Sequence, residues 1–258
     1  MTFLLAAVQL LLATNPDESA TWRVCADTRA PPWTFVKGLD TSKETIRDPP
    51  RITQAQLQRV EGFDVDLMRA LAVRLRRRSQ IVPTSWFSSE RALLEGRCDA
   101  IISAWTPGAG TLAGIAASIP YAEWGLLLVV AKSETTIRSI ADLDGRRVAH
   151  YRDPAVSAAL REMGRGSFSS FDDVETAFAE MKAGRLDAVF YDSLYVHWKL
   201  RTDSSFRVVG QPLNRLGYHV GVRSEDAATL ERVDATIREL QASGELPALR
   251  RRWEGPPP

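Results

Sequence analysis

Cysteine occurs twice and histidine three times in 258 residues. His150, His197 and His219 stand alone, with no His pair four residues apart and no Cys-x-x-Cys, so the spacing of a dedicated metal site is missing. An excess of one charge is missing too: 33 basic and 32 acidic side chains leave a net charge of +1. That removes the electrostatic case for a nucleic-acid or anionic-membrane partner. No G-x-S-x-G, P-loop or G-x-G-x-x-G occurs, and GAG at 108–110 lacks the strand-to-helix setting of a phosphate cradle. The expectation is a chain with no metal and no organic cofactor. Long hydrophobic runs are absent as well. The stretches Phe3–Val8 and Leu10–Ala13 fall short of the ~20 apolar residues a bilayer demands. They match the apolar region of a secretory signal, so residues 1–20 are read as a signal-like segment.

What is present is an ordinary globular composition, 45% hydrophobic and 25% charged, with material for a core. WRVCAD (22–27) reads as a strand ending at Asp27, and APPW then forbids regular structure. Residues 36–61 are polar and arrhythmic and read as an insertion. GFDVDLMRALAVRLRRRS has helical spacing, acids first and arginines last. QIVPTSW is a strand, SSERALLEGR a short helix capped by Ser88 or Ser89, and CDAIIS a third strand. The second half repeats this order: GRRVAHY, a helix over 153–164 opened by Asp153 and Pro154, SFSSF, DDVETAFAEMKAG ended by Gly184, and LDAVFYD. Strand and helix alternating in this way is the grammar of a parallel α/β sheet.

Two phrases mark the repeat, GRCDAIIS at 96–103 and GRLDAVFYDS at 184–193. Both read as one joint, a helix end and tight turn feeding a buried strand, with Asp99 and Asp187 in structural hydrogen bonds at the turn. Two stretches, PYAEWGLLLVVAK and LGYHVGVRSED, offer crossings between the halves. The expected division is a first lobe of 21–127 with 221–258, a second lobe of 132–216, and hinge strands at 128–131 and 217–220. Two terminal helical segments are expected to break at Gly244 and Pro247. The cleft between the lobes, at the carboxyl ends of the strands, is the expected ligand site.

In their order and spacing, VCADTRAPPWTF, EGFDVDLMRALA, GRCDAIISAWT, SIPYAEWGLLLVVAK, ADLDGRRVA, GRLDAVFYDS and LQASGELPALRRRW resemble the periplasmic solute-binding proteins of family 3, the polar amino-acid receptors of ABC importers. The resemblance covers residues 22–254. It implies a type II periplasmic binding fold, two α/β lobes closing around a small solute, and an inner-membrane ABC permease as partner of a monomeric, exported protein. It also implies site residues. Asp192 falls on the acid that binds an α-amino group, and Trp33 on the aromatic of the first loop. Thr111 stands where the family has a carboxylate-binding Arg, and Asp153 and Pro154 replace a donor turn. Arg29 or Arg152 would supply the lost positive charge. The expected cleft set is Asp27, Trp33, Trp105, Thr106, Thr111, Tyr151, Arg152, Asp153 and Asp192, suited to an amine-bearing or amino-acid-like solute through charge and cation–π contact.

A narrower resemblance is to the J-type periplasmic proteins that accompany pyrroloquinoline-quinone methanol dehydrogenases. It implies a disulfide between Cys25 and Cys98 and, as partner, a quinoprotein dehydrogenase. The same fold also hosts cyclohexadienyl dehydratases, for which Glu123 or Asp153 would be the acid. With the carboxylate-gripping Arg absent, the expectation is that the chain is not an enzyme.

Overall fold

A computed structural model describes residues 21–39, 48–108, 110–151, 160, 167–171, 173–213 and 215–254. The first elements are β1 (Thr21–Ala26), β2 (Arg29–Ala30), β3 (Thr34–Val36), α1 (Gln54–Leu57), β4 (Val60–Glu61), α2 (Phe63–Arg74) and β5 (Arg78–Pro83). Then come α3 (Ser89–Leu94), β6 (Ala100–Ile101), β7 (Ile115–Ala117), β8 (Ala122–Trp124), β9 (Leu126–Ala131), β10 (Arg147–Tyr151) and β11 (Ser167–Phe171). The chain ends through α4 (Val174–Lys182), β12 (Ala188–Asp192), α5 (Ser193–Leu200), β13 (Phe206–Val209), β14 (Leu216–Tyr218), β15 (Gly221–Arg223), α6 (Ala227–Ala242) and α7 (Glu245–Glu254).

Two five-stranded sheets carry the two lobes, ordered β5-β1-β6-β15-β7 and β11-β10-β12-β9-β13. In each, a parallel trio (β1 between β5 and β6; β10 between β11 and β12) is followed by an antiparallel return strand, β15 or β9. The repeated sequence therefore encodes a repeated topology. Its joint is the same in both lobes. Asp99 Oδ2 accepts the backbone N–H of Arg23 at 2.9 Å, and Oδ1 accepts its Nη2 at 2.7 Å. Asp187 does the same for Arg147 at 2.8 and 2.7 Å. The preceding Gly96 and Gly184 have φ of 73° and 71°, the left-handed region that ends a helix without a Cβ penalty.

Several expectations shift. The stretch read as one crossing strand is two, broken at Gly125: β8 pairs with β14 in a two-stranded ribbon, and β9 enters the second sheet. LLLVVA is apolar at every position and almost wholly buried, as suits a strand covered on both faces. The ribbon joining the sheets thus lies at 122–124 and 216–218. Ser88 precedes α3 but makes no side-chain cap bond. Pro247 does not break the last helix, because it sits in the first turn of α7, where its missing N–H goes unneeded. Within the polar 36–61 stretch, β4 pairs with β3 and so holds a small sheet together with β2. The helix expected at 153–164 lies outside the described residues apart from Leu160.

The last helix touches both lobes. Trp253 Nε1 and Arg252 Nη1 donate to Asp66 Oδ2 on α2 at 2.9 and 3.1 Å. Arg201, just after α5, donates to the carbonyl of Trp253 at 3.3 Å.

Candidate functional site

The loop after β1 is positioned by backbone alone. Helix α2 has no side-chain cap; its first N–H groups donate instead to the carbonyls of Pro32 and Trp33, at 2.9 Å from Phe63 and 3.0 Å from Asp64. Gly62, with φ 141°, allows this approach, since a Cβ there would lie 2.0 Å from the Trp33 oxygen. Trp33 is thereby fixed at the carboxyl edge of the first sheet, where it is only 6% exposed.

What it meets comes from elsewhere. Its ring stacks near-parallel to Tyr195 of α5, centroids 6.4 Å apart at 20°, and stands edge-on to Tyr218 of the ribbon at 6.2 Å. Tyr195 continues to Tyr191 (4.9 Å), and Tyr191 to Tyr151 (5.9 Å), both edge-on. Tyr218 continues to Trp124 (5.6 Å, stacked) and Tyr121 (5.9 Å). One aromatic chain thus runs from the carboxyl edge of the second sheet, through Trp33, to the ribbon and the first lobe. Trp33 Nε1 is a buried donor with no partner among the described residues, an arrangement that costs roughly 1–3 kcal/mol when nothing accepts the bond.

Asp192 ends β12 and caps α5. Its Oδ1 accepts the N–H groups of Leu194 at 2.8 Å and Tyr195 at 3.4 Å, and its Oδ2 accepts the Tyr218 hydroxyl. Burial pushes this carboxyl up to about 8, against the lowering pull of the two helix N–H groups. Burial likewise raises Asp64 to about 6, although the Ala104 N–H and the Tyr121 hydroxyl pull it down. The Tyr195 hydroxyl donates to Glu175, and its own ionisation is driven far up, first by burial and then by that carboxylate.

The remaining expected residues divide. Thr106 lies at the ribbon, its hydroxyl donating to Gly217 O at 3.1 Å and accepting from Trp124 Nε1 at 3.2 Å. Tyr151 stands at the end of β10, against Tyr191. Asp27 is already engaged: Arg29 donates to it through Nε and Nη2, both at 2.9 Å, and Trp86 donates its N–H at 3.1 Å. Arg29 thus forms a buried ion pair with Asp27 and also donates to the carbonyl of Asp48 at 2.9 Å. Trp105 is 2% exposed in a cluster with Cys25, Cys98 and Ile101, its Nε1 donating to Glu90 at 2.8 Å. It is lobe core and not a cleft wall, because the side chain points under the sheet against Gly221. Thr111 Oγ1 accepts from Gly108 N at 2.8 Å and closes a local turn. Arg152 and Asp153 lie outside the described residues. Cys25 and Cys98 are disulfide-bonded.

Sequence reasoning missed Tyr121, Tyr191, Tyr195 and Tyr218. Tyr191 adjoins Asp192 in the phrase already singled out, and Tyr121 follows Pro120 in the first crossing. Only the ribbon pairing of β8 with β14 reveals that Tyr218 joins them.

The chain is 28% identical to the L-cystine-binding protein TcyJ of Escherichia coli (strain K12) over 210 residues, 80% of this chain and 79% of that one. It is 24% identical to the ABC transporter arginine-binding protein 1 of the same organism, over 80% of this chain and 86% of that one. Among solved structures, a P235GK mutant of ArgBP from T. maritima superposes with a TM-score of 0.71 at 27% identity, covering 91% of this chain and 95% of that chain. The ancestral amino-acid-binding protein AncCDT-1, a precursor of cyclohexadienyl dehydratase, gives 0.72 at 25% identity, covering 91% and 95%. These neighbours share the two-lobe type II periplasmic binding fold. The narrower J-type resemblance is not shown by them. Residues 45–256 match the bacterial extracellular solute-binding proteins, family 3, and the chain belongs to that family.

Proposed function

We propose that this protein is the monomeric, periplasmic solute receptor of an ABC importer, closing on an amine-bearing or amino-acid-like solute and presenting the closed form to an inner-membrane permease. The observation that carries this reading is the meeting, at one point, of Trp33 from the first lobe, Tyr195 and Asp192 from the second and Tyr218 from the connecting ribbon. A solute at that point contacts both lobes, and contacts made only on closure are what drive a hinge. Trp33 offers an aromatic face and a donor that has no partner among the described residues, and Asp192 a carboxyl. Tyr151 at the end of β10, with Arg152 and Asp153 next in the chain, completes the proposed set, and the lobes, expected as 21–127 with 221–258 and 132–216, are proposed to divide at the ribbon instead, with all of β9 in the second. Relatives named for L-cystine, arginine and glutamine support an amino-acid-like solute.

The reading as a receptor and not an enzyme follows the binding-protein relatives. Glu123 is exposed, and among the described residues its ion-pair partner is Arg215, at 3.7 Å, a poor setting for a general acid. A thermal-shift panel of amino acids, amines and sugars tests the reading. A free solute at 100 times its dissociation constant should add about 2.7 kcal/mol, and Asp192→Ala should abolish the shift caused by an amine. Silence across the panel, or steady-state turnover of prephenate or arogenate, would overturn it.

A further inference from the structure

Both carboxyl oxygens of Asp192 already accept hydrogen bonds from the protein. Oδ1 is committed to the first N–H groups of α5, from Leu194 and Tyr195. Oδ2 receives the hydroxyl of Tyr218. Among the described residues no Lys or Arg forms an ion pair with this carboxyl. The titratable groups around it are Tyr191 on its own strand, Tyr195 on α5, Tyr121 and Tyr218 on the ribbon side, and, at longer range, Glu254 and Arg250 of α7.

The position of the Tyr218 hydroxyl is set by packing, independently of that bond. The ring lies stacked on Trp124, edge-on to Trp33 and tilted against Tyr121. Its carbonyl accepts the Tyr121 N–H at 2.9 Å, and the residue is 2% exposed. The phenol is therefore a fixed donor aimed at Oδ2. A primary amine seeks the same oxygen, and it must either share it with the hydroxyl or displace the hydroxyl. When an amine displaces the hydroxyl, the phenol proton is left in a dry aromatic cage and needs a new acceptor.

We propose that Tyr218 is a specificity-determining residue of this cleft: it excludes bare amines from Asp192 and admits amines that carry a hydrogen-bond acceptor beside the nitrogen, to which the displaced hydroxyl then donates. The inference rests on the reading of Asp192 as the solute's amine partner. It also accounts for how an acceptor such as a carboxylate is recognised where Thr111 replaces the usual Arg.

Isothermal titration of the full chain and of Tyr218→Phe against two matched pairs, L-arginine with agmatine and L-cystine with cystamine, reads the effect directly. The second member of each pair lacks the carboxylate beside the amine. The unsubstituted protein should prefer an amino acid over its decarboxylated partner, and Tyr218→Phe should shrink that preference at least tenfold, mainly by tightening on the bare amine. An unchanged preference with binding intact overturns the role of Tyr218 alone. Absence of binding by any probe in both proteins overturns the amine reading of the cleft, and this inference with it. A readout free of solute uses 3-fluorotyrosine placed at 218 in the otherwise unsubstituted chain. Its fluorine resonance should follow the titration of Asp192 and lose that response in Asp192→Asn; a resonance indifferent to Asp192 overturns the proposal.

Discussion

Asp64 receives the backbone N–H of Ala104 at 2.6 Å through one carboxyl oxygen and the Tyr121 hydroxyl at 2.9 Å through the other. Ala104 has φ of 49°, a left-handed conformation that costs a non-glycine residue about 1–2 kcal/mol. The carboxyl thus pins the loop leaving GRCDAIIS in the shape that delivers Thr106 to the ribbon. Asp64→Ala strands two buried donors and frees the strained residue. Urea denaturation should register a loss of roughly 2–4 kcal/mol, with Ala104→Gly recovering part of it in the double variant. Little change on Asp64→Ala would mean that the loop is held by something else.

Asp64 and Asp192 together fix a pH profile. Both carboxyls are raised in the folded protein, to about 6 and about 8, from 3.8. A raised carboxyl holds its proton in the folded state after the unfolded chain has lost it. Its stabilisation is complete below pH 4 and is lost as pH rises to the folded value. Between pH 7 and 8, above the Asp64 value and above the ordinary range of His197, whose pKa burial lowers, the slope belongs to Asp192. Unfolding free energy should fall across that unit by on the order of 1 kcal/mol, the slope easing as pH nears 8. Asp192→Asn keeps a good helix cap and should flatten that slope. A profile that rises from pH 7 to 8 would contradict the burial assigned to Asp192.

The two lobes were legible because periodicity and repeated turn signals are local. WRVCAD, GFDVDLMRALA, GRRVAHY and LDAVFYD each declare their element within a few residues. The ribbon was not legible, since a single glycine at 125 splits an apolar stretch that reads as one strand, and only tertiary pairing assigns the halves. The candidate site was half legible. Asp192 and Trp33 stand out by chain position, but Asp27 looks just as available until Arg29, two residues on, is seen folded back onto it. Trp105 shows the same limit: an aromatic after a strand end can turn into the cleft or under the sheet, and the Cys25–Cys98 cluster with Glu90 decides for the latter.

Gly62 tests how the cleft is built. The backbone carbonyl of Trp33 rests against its Cα, where a methyl group would sit 2.0 Å from oxygen. Neither atom belongs to a flexible side chain, so Gly62→Ala must move the Trp33 loop off the α2 N-terminus. Stability should fall by more than about 2 kcal/mol, and Trp fluorescence should report increased exposure of Trp33. The solute-induced thermal shift should weaken in the same variant. A variant that folds and binds as before would show that Trp33 is not positioned by this contact.

The twin joints make a prediction that separates scaffold from site. Asp99 and Asp187 each bind the backbone N–H and guanidinium of an arginine one strand away, in sheets that share no strand. Their guanidinium partners are 40% and 53% exposed, so the charge itself adds little; the larger part is the strand N–H left unpaired. Asp99→Ala and Asp187→Ala should each lower stability by about 1–2 kcal/mol. The double variant should equal the sum to within roughly 0.5 kcal/mol, because the sites lie far apart and share no partner. Solute affinity should stay unchanged in all three, since neither joint reaches the carboxyl edge where Trp33, Asp192 and Tyr218 meet. If Asp99→Ala weakened binding while Asp187→Ala did not, the first joint would be acting on the cleft through the Ala104 loop that follows it. The symmetry of the repeat would then end one turn earlier than the two sheets indicate.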